Sequence, residues 1–257
     1  MANKKINKAK KKRKGLFFRL FRKIALVCYG KRKMVGIENI PKEPCVVVSN
    51  HAQIHGSLTA ELKYPYKKYT WCIGNLMHLK EAPAYAFEDF WGYKPKRVQW
   101  FYKILAYIVS PLLVYIHNNA DTIGVYKDTR VLKTFKNTVK ALKDGAHIIL
   151  FPECHTPYNN IVNEFQTRFV DVARLYYKDA GKELSFVPMY IAPELKTVVY
   201  GKPVKFDSLA PIEEQRNQIC EYLKTQITTM AENLPEHTVV PYANIPKKDY
   251  PKNKKAN

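Results

Sequence analysis

Cys45-Val46-Val47-Val48-Ser49-Asn50-His51 is the stretch that decides the fold. Its apolar run is too short for a helix and carries no polar residue on alternate positions, so it reads as a strand buried on both faces. Ser49, Asn50 and His51 sit where that strand ends. Residues 147–151 (HIILF) and 186–191 (FVPMYI) read as two further buried strands, with 198–200 as a fourth. Between them, apolar residues recur with a helical period at Val131, Phe135, Val139 and Leu142, again at Phe165, Phe169, Val172 and Tyr176, and again at Ile212, Ile219, Leu223, Ile227 and Met230. Strands alternating with covering helices predict an α/β sandwich, in which functional groups gather at strand ends.

A chain of 257 residues that is 46% hydrophobic can bury a real core, which excludes a disordered protein and favours one domain with appendages. Lys and Arg number 43 against 22 Asp and Glu, and the formal charge of +21 points to anionic partners such as phospholipid headgroups, nucleic acid or phosphorylated substrates. Residues 1–33 hold 14 of those cations and no acid, so the excess is concentrated in one arm. Residues 1–14 are too charged to pack and read as a disordered basic arm. From residue 15 to 33 the pattern changes: Leu16, Phe17, Leu20, Ile24 and Val27 share one side, and Arg19, Arg22 and Lys23 share the other. That is a basic amphipathic helix suited to an anionic membrane surface; the alternative is that its apolar side packs on the domain.

Residues 34–241 then form the folded domain, and 242–257 read as a loose basic tail. Residues 104–116 are nearly all apolar with Pro111 among them, but about 13 residues fall short of the roughly 20 that span a bilayer. The segment reads as a half-buried hairpin, a covered acyl groove or a core helix kinked at Pro111. The five cysteines (Cys28, Cys45, Cys72, Cys154 and Cys220) are odd in number and scattered, without CxxC or metal-finger spacing, which fits a reducing, cytosol-facing compartment. The apolar run 24–28 is short and lacks a small-residue cleavage site, so no secretory signal is expected.

Two polar clusters follow buried strands. In the first, Asn50 supports His51, whose imidazole at a strand end can act as general base on a hydroxyl. In the second, Phe151-Pro152-Glu153-Cys154-His155 brings out a carboxylate, a thiol and an imidazole. Plain structural roles compete: a hydrogen-bonded His51, a capping or ion-paired Glu153, a packed Cys154 thiol.

Gly36-Ile37-Glu38-Asn39-Ile40-Pro41, Val46 to His51, Phe151-Pro152-Glu153 and Val187-Pro188 resemble, in order and spacing, the phospholipid and glycerol acyltransferases, a family that includes the 1-acylglycerol-3-phosphate acyltransferases. The resemblance runs from about Val35 to about Phe206. It implies a single-domain sandwich with a mixed central sheet flanked by helices, lying peripherally or monotopically on the cytoplasmic face of a membrane. It implies transfer of a fatty acyl group from acyl-CoA or acyl-carrier protein to a hydroxyl of a lysophospholipid, glycerol phosphate or related acceptor. No metal and no cofactor beyond that co-substrate is implied. His51 would be the base and Glu153 its support, with Asn50, His55, Cys154 and His155 nearby and Lys127, Arg130 and Arg168 available to an acceptor phosphate.

The sequence departs from the family at two places. The aspartate expected five residues after the histidine is Gly56, and Phe-Pro-Glu-Gly-Thr-Arg becomes Phe151-Pro152-Glu153-Cys154-His155-Thr156, without the arginine. Where the family's second block ends in arginine, Ile123-Gly124-Val125-Tyr126-Lys127 offers a lysine. By analogy with triad enzymes, losing the residue that orients the imidazole lowers the rate by about 10⁴. Glu153, Glu61, Asp89 or His55 are the expected substitutes. A changed acceptor, an acyl thioester on Cys154, and a catalytically silent lipid-binding relative are the other readings. A nucleic-acid binder lacks a stacking aromatic motif or recognition helix here.

Overall fold

The central strands form where β-branched runs are longest. The computed structural model describes residues 15–254; the expected arm over residues 1–14 lies outside them. Ten strands are present among the described residues: β1 (Lys33–Val35), β2 (Cys45–Ser49), β3 (Lys68–Ile73), β4 (Thr122–Val125), β5 (His147–Leu150), β6 (Glu153–Pro157), β7 (Asn163–Phe165), β8 (Ser185–Ala192), β9 (Thr197–Tyr200) and β10 (Val204–Lys205). Seven helices accompany them: α1 (Leu16–Tyr29), α2 (Ile54–Leu62), α3 (Ala82–Trp91), α4 (Lys96–Asn119), α5 (Val131–Lys143), α6 (Asp171–Ala180) and α7 (Ile212–Glu232).

The main sheet runs β1-β9-β8-β2-β5-β3-β4, with β10 pairing β8. β2 is parallel to both β5 and β8, while β9 and β10 run antiparallel to β8. This is the mixed sheet of the expected sandwich. Alternate residues of β2 feed the two faces: Val46 and Val48 pack with Ile148, Leu150, Leu142, Leu223 and Ile227 on one side, and Cys45 and Val47 with Ile149, Met189 and Ala60 on the other. A strand buried on both faces cannot alternate polar and apolar, which is why it is legible in the sequence. In the parallel register Val48 lies opposite both Leu150 and Pro188. The chain therefore leaves β2 and β5 on the same rim, carrying His51 and Glu153.

Several expectations need correction. Phe165 to Tyr176 is not one helix: Phe165 ends β7, a short 3-10 turn covers Thr167–Val170, and α6 starts at Asp171. The helix expected over residues 15–33 stops at Tyr29, because Gly30 takes φ +71 and Lys33 already pairs with Thr197 in the sheet. Residues 104–116 are the middle of α4, whose 24 residues are long and apolar enough to cross a membrane by length and composition. It is not a core helix either. Only Ala106 and Ser110 are fully buried, where α4 forms a hairpin with α3 around Leu76, Ala82 and Ala86.

The tail expected to be loose is docked. Val239 N–H donates to the Pro251 carbonyl at 2.8 Å, and the buried Asn253 side chain accepts from His237 N–H at 2.9 Å and donates to the Ala231 carbonyl at 2.8 Å. Residues 240–250 are thereby closed into a loop at its base.

Candidate active site

His51 follows β2 in a turn whose next two residues, Ala52 and Gln53, take φ of +46° and +50°. Left-handed backbone at two non-glycine residues costs on the order of 1–3 kcal/mol each and persists only where neighbours over-determine it. One such neighbour is Glu153. Its carboxylate accepts the His51 backbone N–H at 3.2 Å, so it fixes the backbone of the histidine rather than its ring. Glu153 is only 3% exposed, and that burial pushes its carboxyl up to about 8 despite the amides of His51 and Asn163.

No side chain among the described residues donates to or accepts from the His51 ring: Nδ1 is sealed from water without a hydrogen-bond partner. The ring is instead gripped by two others. Phe151 lies edge to face at 5.5 Å and 68°, and Tyr242, from the closed loop, at 5.5 Å and 86°. Burial lowers the imidazole's pKa, which keeps it neutral and fit to accept a proton at pH 7.

The expected substitutes for the missing aspartate lie elsewhere. Glu61 holds Arg22 and Lys68. Asp89 on α3 is raised by burial and drawn back by the nearby charge of His155, not of His51. The His55 ring packs on Tyr29 at 6.0 Å with its own Nδ1 unpartnered; burial, then Arg32 and Lys247, lower its pKa. Position 56 has no room: a Cβ on Gly56 would meet the His51 carbonyl oxygen at 2.3 Å and Phe151 Cε1 at 2.9 Å.

Asn50 is committed to the sheet, since its amide oxygen accepts from Ile191 N–H at 2.8 Å and its nitrogen donates to the Ile191 carbonyl at 3.1 Å. On β6, Cys154 is half-buried, while His155 is exposed and packs edgewise on Tyr242 at 5.4 Å. Of the three cations, Arg130 is tied to Asp128 and Glu81 and lies over the Tyr126 ring at 4.2 Å. Lys127 and Arg168 are exposed and form no ion pair among the described residues. Sequence reasoning missed Tyr242, Gln53 and Tyr250. Nothing local in a proline- and lysine-rich tail marks a tyrosine that packs on a histidine far upstream.

Sheet order and parallel register define a mixed α/β sandwich with a histidine at the rim of β2. Among solved structures the chain is similar to the 1-acyl-sn-glycerophosphate (LPA) acyltransferase PlsC from Thermotoga maritima, with a TM-score of 0.51, 16% identity, and coverage of 85% of this chain and 81% of that one. At that identity the likeness is one of fold. No protein-family model and no curated protein sequence matches.

Proposed function

We propose that the protein is a membrane-surface acyltransferase that moves a fatty acyl group from acyl-CoA or acyl-carrier protein to a hydroxyl of a lysophospholipid, glycerol phosphate or related acceptor. The observation that carries this reading is the neutral, half-buried His51 imidazole at the rim of β2 in a fold of this type. His51 takes the proton of the acceptor hydroxyl as its oxygen attacks the thioester carbonyl. The tetrahedral intermediate then collapses, the C–S bond breaks, and the imidazolium passes its proton to the departing thiolate, which returns His51 to its neutral form. Glu153 keeps the His51 backbone in register. With Arg130 engaged by two carboxylates, Lys127 and Arg168 are the cations left for an acceptor phosphate, each acting without help from its neighbours.

Membrane docking is proposed through α1 and α4 on the cytoplasmic face. α1 is anchored to the body by Phe18, by Arg22 on Glu61 and by the Tyr29 hydroxyl on Thr59, which turns Leu16 (80% exposed), Leu20, Ile24 and Val27 (80%) to solvent. Trp100, Ile104, Tyr107 (70%) and Ile108 form an exposed face on α4, and the two helices meet where Phe17 packs on Tyr115 at 5.5 Å. Apolar patches of this extent flanked by cations mark a surface that goes into an interface. Since each fully buried side chain of this size is worth about 1.5–3 kcal/mol, the double variant Leu20→Asp/Ile24→Asp should weaken binding to anionic vesicles by about 10-fold or more. Unchanged sedimentation with vesicles would remove α1 from the docking surface.

The reaction is tested by incubating the protein with labelled acyl-CoA or acyl-carrier protein and a lipid extract on anionic vesicles, beside His51→Ala. Transfer by the parent that is lost in the variant supports the enzyme. A second reading is favoured by the unpartnered Nδ1 and the closed position 56: a catalytically silent protein that binds lipid through the same surface. Vesicle binding without transfer from either protein selects it.

A further inference from the structure

We infer that Tyr242 is a positioning residue that, together with Phe151, holds the His51 imidazole in the orientation an aspartate would otherwise impose. The inference rests on the acyltransferase reading for its kinetic consequences, but not for its geometry. Glycine at position 56 offers the ring no side chain, and the first carbon of any side chain placed there meets the His51 carbonyl and Phe151 unless they shift. What touches the imidazole is aromatic on two sides. Edge-to-face pairs contribute about 0.5–1.5 kcal/mol each beyond the area they bury, and turning the ring about its bond to Cβ breaks both at once.

Tyr242 is itself held. The 240–250 loop is closed at its base by Val239 and Pro251, and Asn253 pins the chain just beyond it. Asn244 ties it to the Asp89 carbonyl at 3.0 Å, and Gln53, in the strained turn after His51, bonds the Tyr250 hydroxyl at 3.0 Å. Both ends of the contact are thus fixed by the same set of bonds: the loop that carries Tyr242 grips the turn that carries His51. A ring carried on a loop whose backbone is held in this way can transmit orientation to its neighbour. His155 also packs on Tyr242, at 5.4 Å.

Around the His51 ring, β6 contributes Glu153 on the backbone amide and His155 against Tyr242, α2 contributes His55 further along its own turn, and the loop contributes Tyr242. Burial is the cause of the ring's lowered pKa. Removing Tyr242 therefore both frees the ring and admits water to it.

The test is an NMR titration of the His51 imidazole in the full chain, with steady-state kinetics on acyl-CoA and a lysophospholipid in vesicles, for the parent, Tyr242→Ala and Tyr242→Phe. In Tyr242→Ala the His51 titration moves up toward the ordinary imidazole value, and the lower limb of the pH–rate profile moves with it. Turnover falls by up to about 10², the loss that follows from misplacing a reacting group by about 1 Å, while KM changes little. Tyr242→Phe, which keeps the ring, restores both. An unmoved His51 titration in Tyr242→Ala overturns the inference. So does faster turnover in that variant, which would make Tyr242 a cover and not a clamp. Should the parent transfer no acyl group, the functional reading fails while the titration still decides the clamp.

Discussion

At pH 8.5, Glu153→Gln is expected to withstand more denaturant than the parent protein, and its advantage should fade steadily toward pH 4.5. The cause is burial. Glu153 lies 3% exposed at the start of β6, where the charged form has lost its water and the amides of His51 and Asn163 make up only part of that loss. Its pKa rises from 4.5 to about 8 in the fold. Between those two values the unfolded chain releases the proton and the native protein keeps it, so the unfolded state binds fewer protons and stability falls as pH rises. Below 4.5 both states are protonated, and above about 8 both are ionised, so the slope vanishes outside the window. Every tenfold gain in proton affinity on folding corresponds to about 1.4 kcal/mol, which puts the accumulated loss on the order of 4 kcal/mol by pH 8. Glutamine matches the neutral carboxyl in shape, offers an oxygen to the same amide, and cannot ionise. Urea midpoints measured from pH 4.5 to 9 for both proteins check this. Parallel curves would mean that Glu153 titrates normally and that its proton is no part of the folded state.

What the sequence reveals follows from where each element lies. β2, β5 and β8 are central strands, and their unbroken apolar runs announce them. β3 is hidden because Lys68-Tyr69-Thr70-Trp71-Cys72-Ile73 mixes a buried lysine, paired with Glu61, into an aromatic stretch. β4 is an edge strand of four residues containing Gly124, and β6 and β7 form a small separate hairpin from residues with no apolar pattern. α4 outruns its apolar centre because Lys96, Arg97 and Lys103 lie on the first turns of a helix and do not interrupt it. At the site, His51 and Glu153 can be read as strand ends. The rings that hold His51 cannot: Phe151 looks like the last residue of a strand, and Tyr242 belongs to a tail whose only visible property is charge.

Placing at position 56 the aspartate that the acyltransferase resemblance implies is expected to harm this protein. Gly56→Asp should lower the unfolding midpoint sharply and leave acyl transfer no higher than the parent's. Gly56 is buried on the first turn of α2, and an added Cβ lands 2.3 Å from a backbone oxygen and 2.9 Å from a ring carbon. The oxygen belongs to His51, in a turn already strained at Ala52 and Gln53, so it cannot retreat freely. The ring belongs to Phe151, which is itself packed on His51. Overpacking of this kind costs about 1–3 kcal/mol, and Gly56→Ala should show that part alone. The carboxylate adds the desolvation of a buried charge, a further few kcal/mol that protonation would only partly relieve. Denaturation of the parent, Gly56→Ala and Gly56→Asp separates the two contributions. If Gly56→Asp kept the parent's midpoint and raised kcat, position 56 would be open, and His51 would simply lack its carboxylate. A destabilised Gly56→Asp without gain in rate means that the space of the carboxylate has been given to Phe151, and that the glycine is the condition for the ring-held histidine.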